Sequence, residues 1–164
     1  MTHEYKGWSK DYHKDLSEIA LIRYRNNLDK YHSIVTTIEN CLSEVNRAVG
    51  QRVWQATTNY IKYYPLVIDA LINGSDDKID KAMDIAFEDQ FVQKIIPKLT
   101  GLETEGYARE KCLNIVQEQL KEFNNGSLLK DFDKALHSNY GQFNWVSSEY
   151  LLDDNNDSLK SLNN

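Results

Sequence analysis

The sequence predicts an all-α protein, a bundle of four to six helices, and three observations carry that prediction. Apolar residues recur at spacings of three and four along most of the chain, which is the period of one helix face. Only 7 Gly and 2 Pro interrupt 164 residues, too few for the many tight turns of a β-sandwich. Hydrophobic residues make up 41% of the chain, with 10 Tyr and 3 Trp, enough to build a core and to exclude disorder throughout.

Residues 1–15 are polar and aromatic with no apolar stripe, and are expected to form a flexible arm. A helical domain is expected over residues 16–138. Its first clear stripe is Leu28, Tyr31, Ile34, Val35, Ile38, Cys41, Leu42, Val45 and Ala48/Val49, with Gly50 as the helix C-terminal stop. A second apolar segment, Val53 to Ile72, contains Trp54, Tyr60, Ile61, Tyr63 and Tyr64. Pro65 should break or kink it at Tyr64, because a proline pushes the preceding residue out of the α region. Asn73-Gly74 closes this segment, and Ser75 is placed to cap the next helix.

The third stripe runs Ile79, Ala82, Met83, Ala86, Phe87, Phe91 and Ile95, and is expected to end before Pro97. Gly101 falls in a turn, and Thr104 is placed to cap a fourth helix. That helix carries Ala108, Cys112, Ile115, Val116, Leu120 and Phe123 on one face. Asn124-Asn125-Gly126 ends it. Ser127 then caps a short fifth helix with Leu128, Leu129, Phe132, Ala135 and Leu136. Residues 139–152 hold Tyr140, Phe143, Trp145 and Tyr150 without a period, as a short strand or an extended strap would. Residues 153–164 read as a disordered acidic tail.

Charge narrows the function classes. Lys and Arg number 19 against 25 Asp and Glu, a net charge of −6, whereas nucleic-acid-binding domains usually carry a basic footprint. No apolar run approaches a membrane span, and the opening MTHEYKGWSKDYHKD has no apolar signal-peptide segment, so a cytoplasmic protein without membrane contact is expected. The 2 cysteines, Cys41 and Cys112, each sit in an apolar helical pattern and read as small core hydrophobes rather than a disulfide framework.

No metal site is expected. His3, His13, His32 and His137 show neither HExxH nor paired CxxC spacing. Asp153, Asn155 and Asp157 resemble the start of a calcium loop, but Ser158 and Asn164 occupy its required Gly and Glu positions. There is no phosphate-binding GxxxxGK[ST] loop, no GxGxxG and no GxSxG. Glu44, Glu88, Glu103 and Glu110 have ordinary surface explanations, and no catalytic residues are assigned.

Two segments stand out from this background. In Val49-Gly50-Gln51-Arg52-Val53-Trp54-Gln55-Ala56-Thr57, Arg52 falls in the first turn of a helix after a glycine. Free N–H groups and the helix dipole favour anions there, and the guanidinium fork suits phosphate oxygens. The second runs from Phe87 to Gly101 and reads Phe-Glu-Asp-Gln-Phe-Val-Gln-Lys-Ile-Ile-Pro-Lys-Leu-Thr-Gly. Its Gln90, Gln93 and Lys94 are expected on a polar side, with Lys98 after the proline. Spacing alone makes Arg52 a solvated side chain and the second segment a capped amphipathic helix.

Together the two segments resemble the C-terminal helical lid of McrB-like AAA+ NTPases, the motors of modification-dependent restriction and related phage-defence systems. That family carries FGYRVVNEI-like and FDxQIxQKILPKLHG-like segments in this order. The second match is the specific one, since Gln90, Gln93, Lys94, Pro97, Lys98, Leu99 and Gly101 all hold their places. Ala108-Arg109-Glu110-Lys111 and Phe143-Asn144-Trp145 echo the family's closing helix and aromatic finish, and the resemblance covers residues 28–125. Gln55 and Ala56 replace the family's Asn-Glu pair, Glu88 its Asp and Thr100 its His, and the nucleotide-binding core of the family is absent.

The resemblance implies a second-sensor role for Arg52, reaching the γ-phosphate of a nucleotide held elsewhere, and binding roles for Gln90, Gln93, Lys94 and Lys98. It implies no cofactor on this chain alone, and GTP or ATP with Mg²⁺ once assembled with a core. The expected function is a non-catalytic lid-type module with a protein partner, in an oligomer if the motor assembles as one, meeting DNA only indirectly. The alternative is a free-standing helical interaction protein, a defence accessory or inhibitor, that binds a protein partner. A third reading, a nucleic-acid adaptor using Lys94, Lys98, Arg109 and Lys111, runs against the net charge.

Overall fold

The computed structural model describes residues 11–122, 126–138 and 140–146. Its architecture is all-α, and among the described residues no segment forms a regular strand. In place of one helical domain, the chain divides into two units that are each discontinuous in sequence. One comprises the residues up to Thr37 with Val49–Ile95, and the other Ile38–Ala48 with the residues from Ile96 onward.

The first unit opens with a 3₁₀ turn, Tyr12–Asp15. Residues 11–15 therefore depart from the expected flexible arm. Tyr12 is buried, its hydroxyl donates to the Lys62 carbonyl, and its ring meets His13 edge-on at 4.5 Å between centroids. Residues 1–10 of that arm lie outside the described residues.

Helix α1 spans Glu18–Glu44. Ser17 caps it, its Oγ accepting the Ala20 N–H at 3.1 Å, which satisfies one of the free donors of the first turn. Its stripe begins earlier than the sequence suggested, with Ala20 and Tyr24 buried ahead of Tyr31, Ile34 and Val35. Helices α2 (Gln51–Tyr63) and α3 (Pro65–Asn73) meet at Tyr64. Tyr64 is extended (φ −66, ψ 124) and Pro65 opens α3, the break the proline predicts. Helix α4, Asp76–Gln90, packs with α2 and α3. Ser75 stands at its N-cap as expected, but its side chain makes no capping bond.

The core of this unit centres on Tyr31 stacked against Phe87, with ring centroids 4.3 Å apart, and on Phe91 edge-on to Phe87. A polar seam runs beside it. Arg23 grips both carboxylate oxygens of Asp80, Asn27 Nδ2 donates to Asp80 Oδ1 at 2.8 Å, and Tyr31 donates to Asp84 Oδ1. The residues Arg23, Asn27 and Tyr31 recur every four on α1, as Asp80 and Asp84 do on α4, so each set shares a helix face.

The two aspartates respond oppositely to pH. The Arg23 fork holds Asp80 below its ordinary value, so Asp80 contributes stability above the usual Asp range that is lost as pH falls through its folded value. Burial raises Asp84, with the Tyr31 hydroxyl opposing, so ionising Asp84 works against the fold as pH rises through its folded value. Tyr31→Phe should therefore cost about 1–3 kcal/mol at neutral pH, where a half-buried carboxylate loses its donor. The loss should shrink at acid pH, where Asp84 is neutral. Urea titrations at both pH values measure this, and equal losses would mean the hydroxyl does not serve the charged form.

α4 does not stop before Pro97. It continues as a π-helical turn, Phe91–Ile95, and then as α5, Ile96–Leu99. Proline in a helix has no N–H to give, and its ring crowds the carbonyl four residues back. The π turn shifts the bonding pattern by one residue just ahead of Pro97, which lets the helix run on.

The second unit takes in the end of α1, where Ile38, Cys41 and Leu42 are buried. Asn46, rather than Gly50, ends this helix. It adopts φ 61, its N–H bonds the Ser43 carbonyl at 3.1 Å, and the Arg47 N–H bonds the Leu42 carbonyl at 2.9 Å. These paired bonds form a Schellman stop, and Asn is the commonest non-glycine residue to tolerate it. Gly50 instead precedes α2 as its N-cap. Asn46→Gly should leave stability unchanged or slightly raised, while Asn46→Val should cost about 1–2 kcal/mol. A wild-type urea midpoint for Asn46→Val would show that the helix end is set elsewhere.

Beyond α5, residues 107–108 begin a helix that passes through a π turn, Arg109–Leu113, into α6, Asn114–Leu120. Thr104 is buried rather than capping: its N–H donates to the Gly141 carbonyl at 2.9 Å. Helix α7, Gly126–Leu136, includes Ser127 within its first turn instead of at its cap, and packs on α6. Phe123, Asn124 and Asn125 lie outside the described residues. The aromatic segment is an extended strap, paired by one antiparallel bridge, Glu103 to Gln142. Phe143 is buried against Phe132, centroids 5.0 Å apart, and exchanges backbone bonds with Gly101 and Leu102. The strap's remainder and the acidic tail fall outside the described residues.

Candidate functional site

Arg52 is the second residue of α2, and its side chain is exposed. Gly50 precedes the helix in extended conformation (φ −69, ψ 152) and offers no side-chain acceptor to the first-turn N–H groups. Among the described residues, Arg52 makes no hydrogen bond or ion pair, which leaves its guanidinium free. The rest of α2 is anchored behind it. Thr57 is buried and bonds the Val53 carbonyl at 2.7 Å, Ile61 is fully buried, and the half-buried Trp54 lies against His32 at 4.8 Å.

The second segment divides differently from its expected polar side. Gln93 and Lys94 are exposed on the π turn, and Lys98 is exposed on α5. Gln90 is 4% exposed and belongs to the interior, its Nε2 reaching Gln93 Oε1 at 3.5 Å. The cause is the helix register: Gln90 follows Ala86 and Phe87 by four and three residues and so turns to the same buried face. Gln90 is therefore a packing residue here, and the surface residues of the segment are Gln93, Lys94 and Lys98. No hydrogen bond or ion pair among the described residues joins Arg52 to Gln93 or Lys94.

Two arginines that the sequence did not single out for structure shape the second unit. Arg47 Nη1 donates to the carbonyls of Lys98 (2.9 Å) and Thr100, satisfying carbonyls at the C-terminal end of α5. Gly101 follows with φ 86, a left-handed conformation that glycine adopts without penalty. Arg109, a residue of the nucleic-acid reading, directs its Nε to Asn114 Oδ1 at 2.7 Å and its Nη1 to the Thr104 carbonyl at 3.0 Å. Its donors are turned inward on the chain, which weakens that reading. Nothing in the local spacing of either arginine distinguishes it from a solvated one.

Cys41 and Cys112 are both buried as expected, but they are also neighbours, with Sγ atoms 3.5 Å apart. Among the described residues, no group of three or more His, Cys, Asp or Glu is placed to hold a metal ion. No helix among them is long and apolar enough to cross a membrane.

The chain belongs to the family described as Domain of unknown function (DUF8727), whose family model matches residues 6–162. Comparisons with curated proteins and with solved structures find no match.

Proposed function

We propose that this chain is a non-catalytic, lid-type helical module that docks on the nucleotide-binding core of a McrB-like NTPase and presents Arg52 to the bound nucleotide. The observation that carries the reading is Arg52, exposed and without a bond among the described residues, in the first turn of an otherwise well-anchored helix. A permanent cation at a helix N-terminus is a suitable phosphate partner. The order and content of the Arg52 and Phe87–Gly101 segments add support, with Gln93, Lys94 and Lys98 offering surface contacts. GTP or ATP and Mg²⁺ would be held by the core. DNA would be engaged by the assembled cytoplasmic motor rather than by this chain.

The second reading, a free-standing interaction protein, is favoured by exposed apolar side chains on the first unit. Leu66, Ile72 and Ile85 are 52%, 42% and 43% exposed. The two readings separate in one experiment. A McrB-type core deleted of its own C-terminal lid is mixed with this chain, and complex formation is followed by size-exclusion chromatography with and without a non-hydrolysable GTP or ATP analogue. Nucleotide-dependent co-elution supports the lid reading. Independent elution under all three conditions removes it and leaves the interaction-protein reading.

A further inference from the structure

We infer that Cys41 and Cys112 form a redox-active dithiol that peroxide closes to an intramolecular disulfide, making this pair an oxidative modification site. The chain contains 2 cysteines, separated by 71 positions, and the fold of the second unit brings them into van der Waals contact at 3.5 Å. Forming the bond requires the sulfurs to close by about 1.5 Å to the covalent distance. Cys112 also sits in the π turn Arg109–Leu113, a widened turn of the kind found often at functional positions.

The two thiols are not equivalent. The contact with the Cys41 sulfur draws Cys112 below its ordinary value, burial opposes this, and the positive charge of Arg47 assists. Cys41 is raised, by its bond to Cys112 first and by burial second. The Cys41 thiol donates to the Ile38 carbonyl at 3.1 Å, while Cys112 sits in the π turn and feels the positive charge of Arg47, which makes Cys112 the attacking sulfur and Cys41 the resolving one. The Cys112 thiolate attacks one oxygen of hydrogen peroxide, the O–O bond breaks, and the departing hydroxide takes up a proton to leave as water. Cys112 is then a sulfenic acid. The Cys41 sulfur attacks it, the S–O bond breaks, and a second water carries away the hydroxyl with the Cys41 proton. One peroxide is reduced by two electrons as two thiols become one disulfide. Both sulfurs are buried, so peroxide must enter by local opening, and the first step is slow while the second is fast.

The test treats the reduced chain, freed of reductant, with hydrogen peroxide, then denatures it with iodoacetamide present and measures its mass. The expected product has lost two hydrogens, takes up no alkyl group, yields a peptide pair joining Cys41 to Cys112, and reverts with dithiothreitol. Its Tm should rise by about 10 °C, since the bond closes a long loop of the unfolded chain. Dimedone, which traps sulfenic acid, should label Cys112 in Cys41→Ser but not in the wild-type chain. The proposal is overturned if the wild-type chain keeps two alkylatable thiols, if Cys112 proceeds to sulfinic acid with Cys41 still free, or if the only disulfides join separate chains. The wild-type peptide map decides the matter even where the serine variant folds poorly.

Discussion

Arg52→Ala is expected to leave the chain folded and to lower nucleotide turnover of a lid-deleted McrB-type core supplemented with it, by up to about 10³-fold. The folding half of this expectation follows from exposure: the side chain covers no core and bonds no described residue. The turnover half follows from what a guanidinium does beside a γ-phosphate, where charge builds up during phosphoryl transfer and a fixed donor fork stabilises it. Arg52→Lys should restore only part of the rate, because a point charge cannot reproduce two parallel donors. Rates are compared at equal occupancy of the core. Equal turnover for all three chains would remove the sensor role and leave Arg52 as a solvated side chain.

Phe91→Ala should cost about 3–5 kcal/mol, a large fraction of the roughly 5–15 kcal/mol that holds a domain together. Phe91 is fully buried, edge-on to Phe87, at the first position of the π turn. Removing its ring leaves a void beside Phe87 that a turn with irregular bonding is poorly placed to fill. Phe91→Leu, which keeps most of the volume, should lose much less. The readout is the denaturant midpoint. A wild-type midpoint for Phe91→Ala would show that this aromatic stack contributes little to the core.

The stripes were legible because their period is a property of single helices. Tyr31, Ile34, Val35, Ile79, Met83, Phe87 and Phe91 are buried where the spacing placed them. Tyr64-Pro65 breaks the helix because proline's constraint is local. What the sequence hid depends on partners distant in the chain or on competition between neighbours. Asn46 and Gly50 are both suitable helix terminators, and nothing in the three intervening residues says which one stops α1 and which one starts α2. Pro97 ordinarily ends a helix, and the π turn that accommodates it has no sequence signature. Gln90 looks polar in isolation, but its register carries it inside. The exposure of Arg52 was legible, since a first-turn position follows from the glycine ahead of it. The contact between Cys41 and Cys112 was not, because it arises only when α1 and the Arg109–Leu113 turn pack within their unit.

The division of the chain also orders events in time. A ribosome delivers residues up to Thr37 and then Ile38–Ala48 long before Ile96 and its successors. Every residue of the first unit has emerged once Ile95 is clear, so the packing of α1 with α2, α3 and α4 can be complete while synthesis continues. Cys41, buried at the end of α1, must wait for its neighbour Cys112 in the Arg109–Leu113 turn. That neighbour lies 71 positions further along the chain. Non-local contacts of this kind form late and slowly, and the waiting surface is where a nascent chain is most prone to aggregate or to need a chaperone. A pulse-labelled hydrogen-exchange experiment during refolding should accordingly find protection at Ile79–Phe87 before protection at Ile38–Leu42.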